Sequence, residues 1–312
     1  MSMNPIKAGE LGLGPWHLAT NAAIPIDQAR RAALQQAEDG ILAMLGFEDR
    51  YAMVIDNLMD LERHLFNWSL IDMLRPMEGF EELFDHKRDA NRFFGNLLSS
   101  CRQYIDQTHH HVGPYLATTG LTSEAALSEQ YDAHLSFRVM EALRNYVQHE
   151  DLGVHTVSIG GGWIESSGGK VRRYVVTIGI DLDHLGKATK FKAKVLAELK
   201  ALPAIPDLKQ IIREYISALA TAHKKMRDTL KPQLDQWRSE MEAAFADVQK
   251  AYPSEELHRL AVFEQNADGT RTKLLDLGRE PTARLDRLQR VNQTTLNLGP
   301  AYASTEALPP KA

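Results

Sequence analysis

The sequence predicts a mainly α protein: an N-terminal four-helix bundle, then an α+β half with two β-hairpins and long helices. Three observations lead there. Apolar residues recur at helical spacing through residues 26–152. The period then changes at 153–182, where two β-prone runs flank a Ser/Gly turn, and a second such pair surrounds Asn266-Ala267-Asp268-Gly269. Finally, 312 residues with 44% apolar and 25% charged side chains suffice for one or two domains with real cores, at roughly 150 residues per domain.

Taken in order, residues 1–25 carry Gly9, Gly12, Gly14, Pro15 and Pro25 without a period, and read as an irregular lead-in. A first helix is expected over 26–45, with Asp27 near its start and Gly46 ending it. A second, over 48–74, places Met53, Leu58, Leu61, Leu65 and Trp68 at helical spacing and stops before Pro76. A third covers 84–110 and closes at Gly113-Pro114. The fourth starts at Thr122 or Ser123, each a suitable N-cap, and ends before Gly153. Four such helices joined by short turns make a bundle domain over 26–152.

The α+β region covers 153–298. Runs at 154–164 and 171–182 flank Ser166-Ser167-Gly168-Gly169 as a hairpin. Helices follow over 186–202 and 206–252, the latter broken near Pro232. The second hairpin spans 259–265 and 271–277, a last helix covers 282–292, and 299–312 read as a flexible tail. A lone hairpin is marginal in water, so the two hairpins are expected to share one small antiparallel sheet.

Composition excludes several classes. The single Cys101 closes no intramolecular disulfide, and no run approaches the ~20 apolar residues of a membrane helix. The first 17 residues lack an apolar signal core. The expectation is a cytoplasmic protein without membrane contact. The net charge of −5 hides a split: residues 1–150 hold 21 acidic against 12 basic side chains, whereas 186–231 hold 11 basic against 4 acidic. That basic block is either a solvated lysine face or a phosphate-attracting field carried by Lys187, Lys190, Lys192 and Lys194.

The informative segment is the end of the fourth helix. On a wheel of residues 133–149, Leu135, Val139, Met140, Leu143, Tyr146 and Val147 form one apolar arc. The opposite arc holds His134, Arg138, Glu141, Arg144, Asn145, Gln148 and His149, with one acid among them. Glu141 reaches Arg144 at i+3 and Asn145 at i+4, and Asn145 reaches His149 at i+4. Asn145 is therefore expected to fix the His149 ring. The helix C-terminus, Glu150 and Asp151 are expected to favour the imidazolium.

An Arg and a His one step apart are the minimum for metal-free phosphodiester cleavage: the His moves protons, and the Arg neutralises charge developing on phosphorus. Positions five apart lie ~140° from each other on a helix, so convergence needs an unwound helix end or two copies meeting across a two-fold axis. The alternative is a helix-end salt-bridge and capping cluster without catalysis.

Arg, a polar residue, three more residues and His at the end of a bundle helix resembles the signature of the HEPN (higher eukaryotes and prokaryotes nucleotide-binding) superfamily. Here it reads Arg144-Asn145-Tyr146-Val147-Gln148-His149. The likeness extends over residues 88–152, through Asn91 to Asp106, Tyr131-Asp132 and Phe137-Arg138, and is similar to uncharacterised bacterial HEPN-like proteins. It implies a HEPN-like bundle, Arg144 and His149 as catalytic with Asn145 beside them, and Glu141, Arg138 and Asp106 in support. Asp106 and Tyr104 would be interior partners of Arg144 or Arg138, or else polar surface.

It also implies a metal-independent endoribonuclease with RNA as partner, a homodimer through the bundle, no cofactor, and a toxin or anti-phage setting with a regulatory protein or antitoxin. A non-catalytic dimerisation or nucleotide-binding module, or a sensor, is the alternative. One toxin subgroup carries a Tyr two positions after the His, where this chain has Asp151, and the resemblance does not extend to residues 153–312, whose role it leaves open. His109-His110-His111 read as a solvated loop, Cys101 as buried packing, and Gly160-Gly161-Gly162 as a bulge or flexible strand end.

Overall fold

A computed structural model describes residues 4–16, 22–75, 79–166, 169–254, 256–292, 296–301 and 303. Its elements in chain order are β1 (Asn4–Pro5), β2 (Leu11–Gly14), β3 (Ala22–Ile26), α1 (Gln28–Leu74), α2 (Phe80–Ala117), α3 (Ser123–Ala133) and α4 (Leu135–His149). Then come β4 (Thr156–Ser166), β5 (Gly169–Gly179), α5 (Leu182–Leu185), α6 (Ala193–Lys200), α7 (Leu208–Ala251), β6 (Arg259–Gln265), β7 (Arg271–Gly278) and α8 (Glu280–Val291). The fold is mainly α with two antiparallel sheets, as the periodicities predict. None of the described helices is long and apolar enough to cross a membrane.

Several boundaries differ, each for a physical reason. The two helices expected over 26–74 are one: Gly46 does not take the positive φ of a C-cap, and its missing Cβ makes room for the His111 ring, which a Cβ would meet at 2.6 Å. Pro114 and Pro232 lie inside α2 and α7 without ending them. A proline removes one helical donor, and around Pro232 the burial of Leu230, Leu234 and Trp237 on one stripe outweighs that loss. His109-His110-His111 accordingly sit within α2 rather than in a loop. The expected fourth helix is interrupted at His134, which is extended. Of the helix expected at 186–202 only Ala193–Lys200 is helical; 186–192 is a loop, preceded by the separate short helix α5.

The chain divides into two compact units. One comprises Met1–Asp49, Thr108–Thr122 and Met226–Val291. Its sheet has the order β1-β3-β2-β6-β7, antiparallel throughout. The lead-in is thus not irregular where described: β2 pairs Leu11 with Glu264 and Leu13 with Val262, and Phe263 packs with Ile6, Ala23 and Ala261. Gly12 permits that packing, since a Cβ would meet Ile6 and Phe263 within 3 Å. On α1, Leu34, Ala37, Ile41, Met44 and Phe47 form the buried stripe; on α7, Leu230, Leu234, Trp237, Met241 and Phe245 do. Glu48, fully buried, accepts both arms of the Arg227 guanidinium at 2.6 Å.

The second unit comprises Arg50–Gln107, Ser123–Lys225 and Asn292–Ala312. It contains a four-helix cluster whose fourth member is the first half of α7, rather than a divided α1. Tyr51 stacks on His223 at 4.1 Å, Tyr104 Oη lies 3.0 Å from His223 Nδ1, and Phe137 packs edge-on against Tyr215. Arg213 grips Glu62 with two hydrogen bonds of 2.6 and 2.7 Å. Cys101 is buried here, as expected. The hairpin β4–β5 forms its own two-stranded sheet. The hairpins therefore do not share a sheet, because β6–β7 finds its partner in β2. The turn residues Ser167 and Gly168, and most of the expected tail, lie outside the described residues.

Candidate active site

Helix α4 is amphipathic, and its buried face holds Phe137, Val139, Met140, Leu143 and Tyr146. That burial fixes the rotation of the helix; of the polar arc, His134, Gln148 and His149 are exposed, whereas Arg138, Glu141, Arg144 and Asn145 are half-buried. Its start is anchored by Arg138, whose guanidinium donates to the carbonyls of Tyr131 and Asp132, each at 2.9 Å, and to Glu198 at 2.6 Å. Arg138 thereby satisfies the open carbonyls where α3 ends.

Glu141 lies toward the interior, where the Tyr215 hydroxyl donates to it at 3.4 Å and Arg102 stands 3.7 Å away. Burial raises its carboxyl above the ordinary range, and the Arg102 and Arg144 charges oppose that shift. Arg144 thus lies within the field of Glu141, as the i+3 spacing predicts. Asp106 pairs with Arg102 at 2.6 Å, and Tyr104 faces His223; neither bonds Arg144 or Arg138. The resemblance had grouped them there, but they sit on a turn of α2 that faces other partners.

The end of α4 departs from the spacing argument most. Asn145 does not hold His149: its amide donates to the Lys190 carbonyl at 2.7 Å. Glu150, following the helix, accepts from Thr189 N and Oγ1 at 2.7 and 2.6 Å and from Lys190 N at 3.0 Å. Those bonds, the Thr189 hydroxyl foremost, hold its carboxyl below the usual range. The two side chains clamp the 186–192 loop onto the helix end. They bring the Lys190 backbone to the helix end that carries Arg144 and His149, and Lys187, Lys190, Lys192 and Lys194 are exposed. Lys192 also donates to the Tyr131 hydroxyl at 3.1 Å. His149 is exposed on the last turn.

A second group was not singled out from the sequence. Asn91 grips the Val154 backbone with both amide atoms, at 2.9 and 2.8 Å, and fixes the chain leaving α4. His155 Nδ1 accepts from the Asp181 N–H at 3.0 Å, so the ring proton resides on Nε2, which faces the Tyr146 hydroxyl at 3.4 Å. Burial, and then the neighbouring His184, lower the His155 pKa. Burial, with Asp151 and Glu150 nearby, pushes the Tyr146 phenol up to about 12. The His184 ring lies 4.9 Å from that of His155, and its Nε2 is 3.1 Å from Asp151 Oδ2. The carboxylates expected to act on His149 are therefore engaged with the loop and with His184. The only sequence signal for this group was a His at each end of the first hairpin. Among the described residues, no three His, Cys, Asp or Glu side chains gather as a metal site.

The arrangement sets the backbone of a lysine-bearing loop, a half-buried guanidinium and an exposed imidazole at one helix end. No family model matches the chain, and no curated protein matches it. Among solved structures, the cytotoxin MakB from Vibrio cholerae aligns over 93% of this chain and 85% of its own, at 9% identity and a TM-score of 0.14. A score that low assigns neither fold nor function.

Proposed function

We propose that the protein is a metal-independent endoribonuclease of the HEPN type, acting as a homodimer through its helical cluster. The supporting observation is the end of α4, where Asn145 and Glu150 hold a lysine-bearing loop beside the segment of Arg144 and His149. RNA phosphates enter the field of Lys187, Lys190, Lys192 and Lys194. The 2′-oxygen attacks the adjacent phosphorus, its proton passes to a base, and the P–O5′ bond breaks as O5′ takes a proton. His149 serves one of these transfers, and Arg144 stabilises the phosphorane. The products are a 2′,3′-cyclic phosphate and a 5′-hydroxyl, as suits a cytoplasmic toxin or anti-phage nuclease held by an antitoxin or regulator. Asn145 then positions the loop rather than the imidazole.

The test is cleavage of a labelled RNA in chelator. Arg144→Ala and His149→Ala are each expected to lose about 100-fold or more. Variants that cleave as fast as wild type overturn the reading. The use of Asn145 and Glu150 as clamps favours a second reading, a non-catalytic dimerisation or nucleotide-binding module. It predicts RNA left intact by wild type, and motif variants that change only binding or association.

A further inference from the structure

The hairpin β4–β5 is rooted beside the end of α4, where the His155 N–H donates to the Gly179 carbonyl at 2.9 Å. At the root Val176 and Ile178 are buried. Beyond them the ribbon is exposed on both faces from Gly161 to Glu165 and at Lys170, Arg172 and Arg173, with Trp163 69% accessible. Cross-strand partners share a face. The register sets Trp163 opposite Arg172 and Gly161 opposite Tyr174, which places Trp163, Arg172 and Tyr174 on one side. The Arg172 guanidinium lies 5.0 Å from the centre of the Tyr174 ring. Gly161 leaves that ring without a side chain across from it, and a Cβ there would come within 1.7 Å of the Arg173 carbonyl oxygen.

We infer that this strip is a single-stranded RNA-binding arm, on which Trp163 and Tyr174 stack unpaired bases while Arg172 and Lys170, on the same face, hold the phosphates and Arg173 adds positive charge from the opposite face. Three cations against one acid, Glu165, make the exposed half of the ribbon basic within an acidic chain. An indole and a phenol flanking a guanidinium present the stacking surface and charge that single strands require. The ribbon's last described residues before the turn, Glu165 and Ser166, are polar, which disfavours entry into a lipid bilayer. The choice of RNA rests on the nuclease reading above; the basic aromatic strip does not.

The test uses the full chain and a fluorescein-labelled 2′-O-methyl oligouridine, which cannot be cleaved by 2′-oxygen attack. Binding is read by anisotropy. Trp163→Ala and Tyr174→Ala are each expected to weaken binding about 5- to 100-fold, and Trp163→Phe to retain most of it. Trp163 is exposed, so thermal unfolding should match wild type in both Trp163 variants. Unchanged affinity in Trp163→Ala overturns the arm even if the protein cleaves RNA. Tight, Trp163-dependent binding by a protein that cleaves nothing overturns the nuclease and leaves the arm standing. Phosphatidylserine vesicles provide the other outcome. If Trp163→Ala abolishes vesicle sedimentation while oligonucleotide binding is unaffected, the strip is a lipid-surface anchor and the inference falls.

Discussion

Glu38 carries an uncompensated carboxyl inside the unit built on the five-stranded sheet: it is buried, and its Oε2 has no hydrogen-bond partner. Burial, with Asp276 and Asp39 adding to it, raises the pKa from 4.5 to about 7. Below pH 4.5 the group is protonated in the folded and unfolded chain alike, and its contribution to stability is fully present. Between 4.5 and 7 only the folded chain keeps the proton, so stability falls as pH rises, and above 7 the loss is complete. The melting temperature should therefore decline from pH 5 to 8 more steeply in wild type than in Glu38→Gln. Equal slopes in the two proteins would remove Glu38 as the cause. The spacing that named Arg144 and Glu141 as neighbours identified a real pair, because i and i+3 on a helix are close whatever surrounds them. The same rule misplaced Asn145, since a side chain that can bond within its helix can equally turn to a loop 45 residues on.

At the scale of elements, the junction between α3 and α4 depends on one guanidinium. Arg138→Ala removes donors to two carbonyls and leaves Glu198 without its ion pair. The expected cost is about 2–3 kcal/mol in chemical denaturation, with faster amide exchange around His134. A change below about 0.5 kcal/mol would show that water replaces the arginine without loss. The long helices and both hairpins were legible because apolar spacing and turn residues are local signals. Helix breaks were not. Gly46 and Pro232 look like stops in sequence, yet α1 and α7 run through them, and the buried stripe that outweighs the proline is set by packing.

At the scale of the whole molecule, the first strands decide whether the second hairpin has a sheet to belong to. β2 lies between β3 and β6, so deleting residues up to Gly14 removes Leu11 and Leu13 from the core and bares the β6 edge. The melting temperature of the truncated chain should drop by about 10 °C or more, with a tendency to aggregate. A truncated chain that melts like wild type would show the sheet to be stable without β2.

The sequence by itself determined the helical class, both hairpins, the burial of Cys101 and most of the apolar face of α4, because each follows from a period or a turn confined to a few neighbouring residues. Tertiary structure alone decided that α7 completes the helical cluster, that β2 takes up β6–β7, and that Asn145, Glu150 and Asp151 hold a lysine loop and a second histidine rather than His149. Those outcomes rest on contacts between residues tens to hundreds apart. Such contacts are selected by shape, charge and burial together, and no local spacing encodes them.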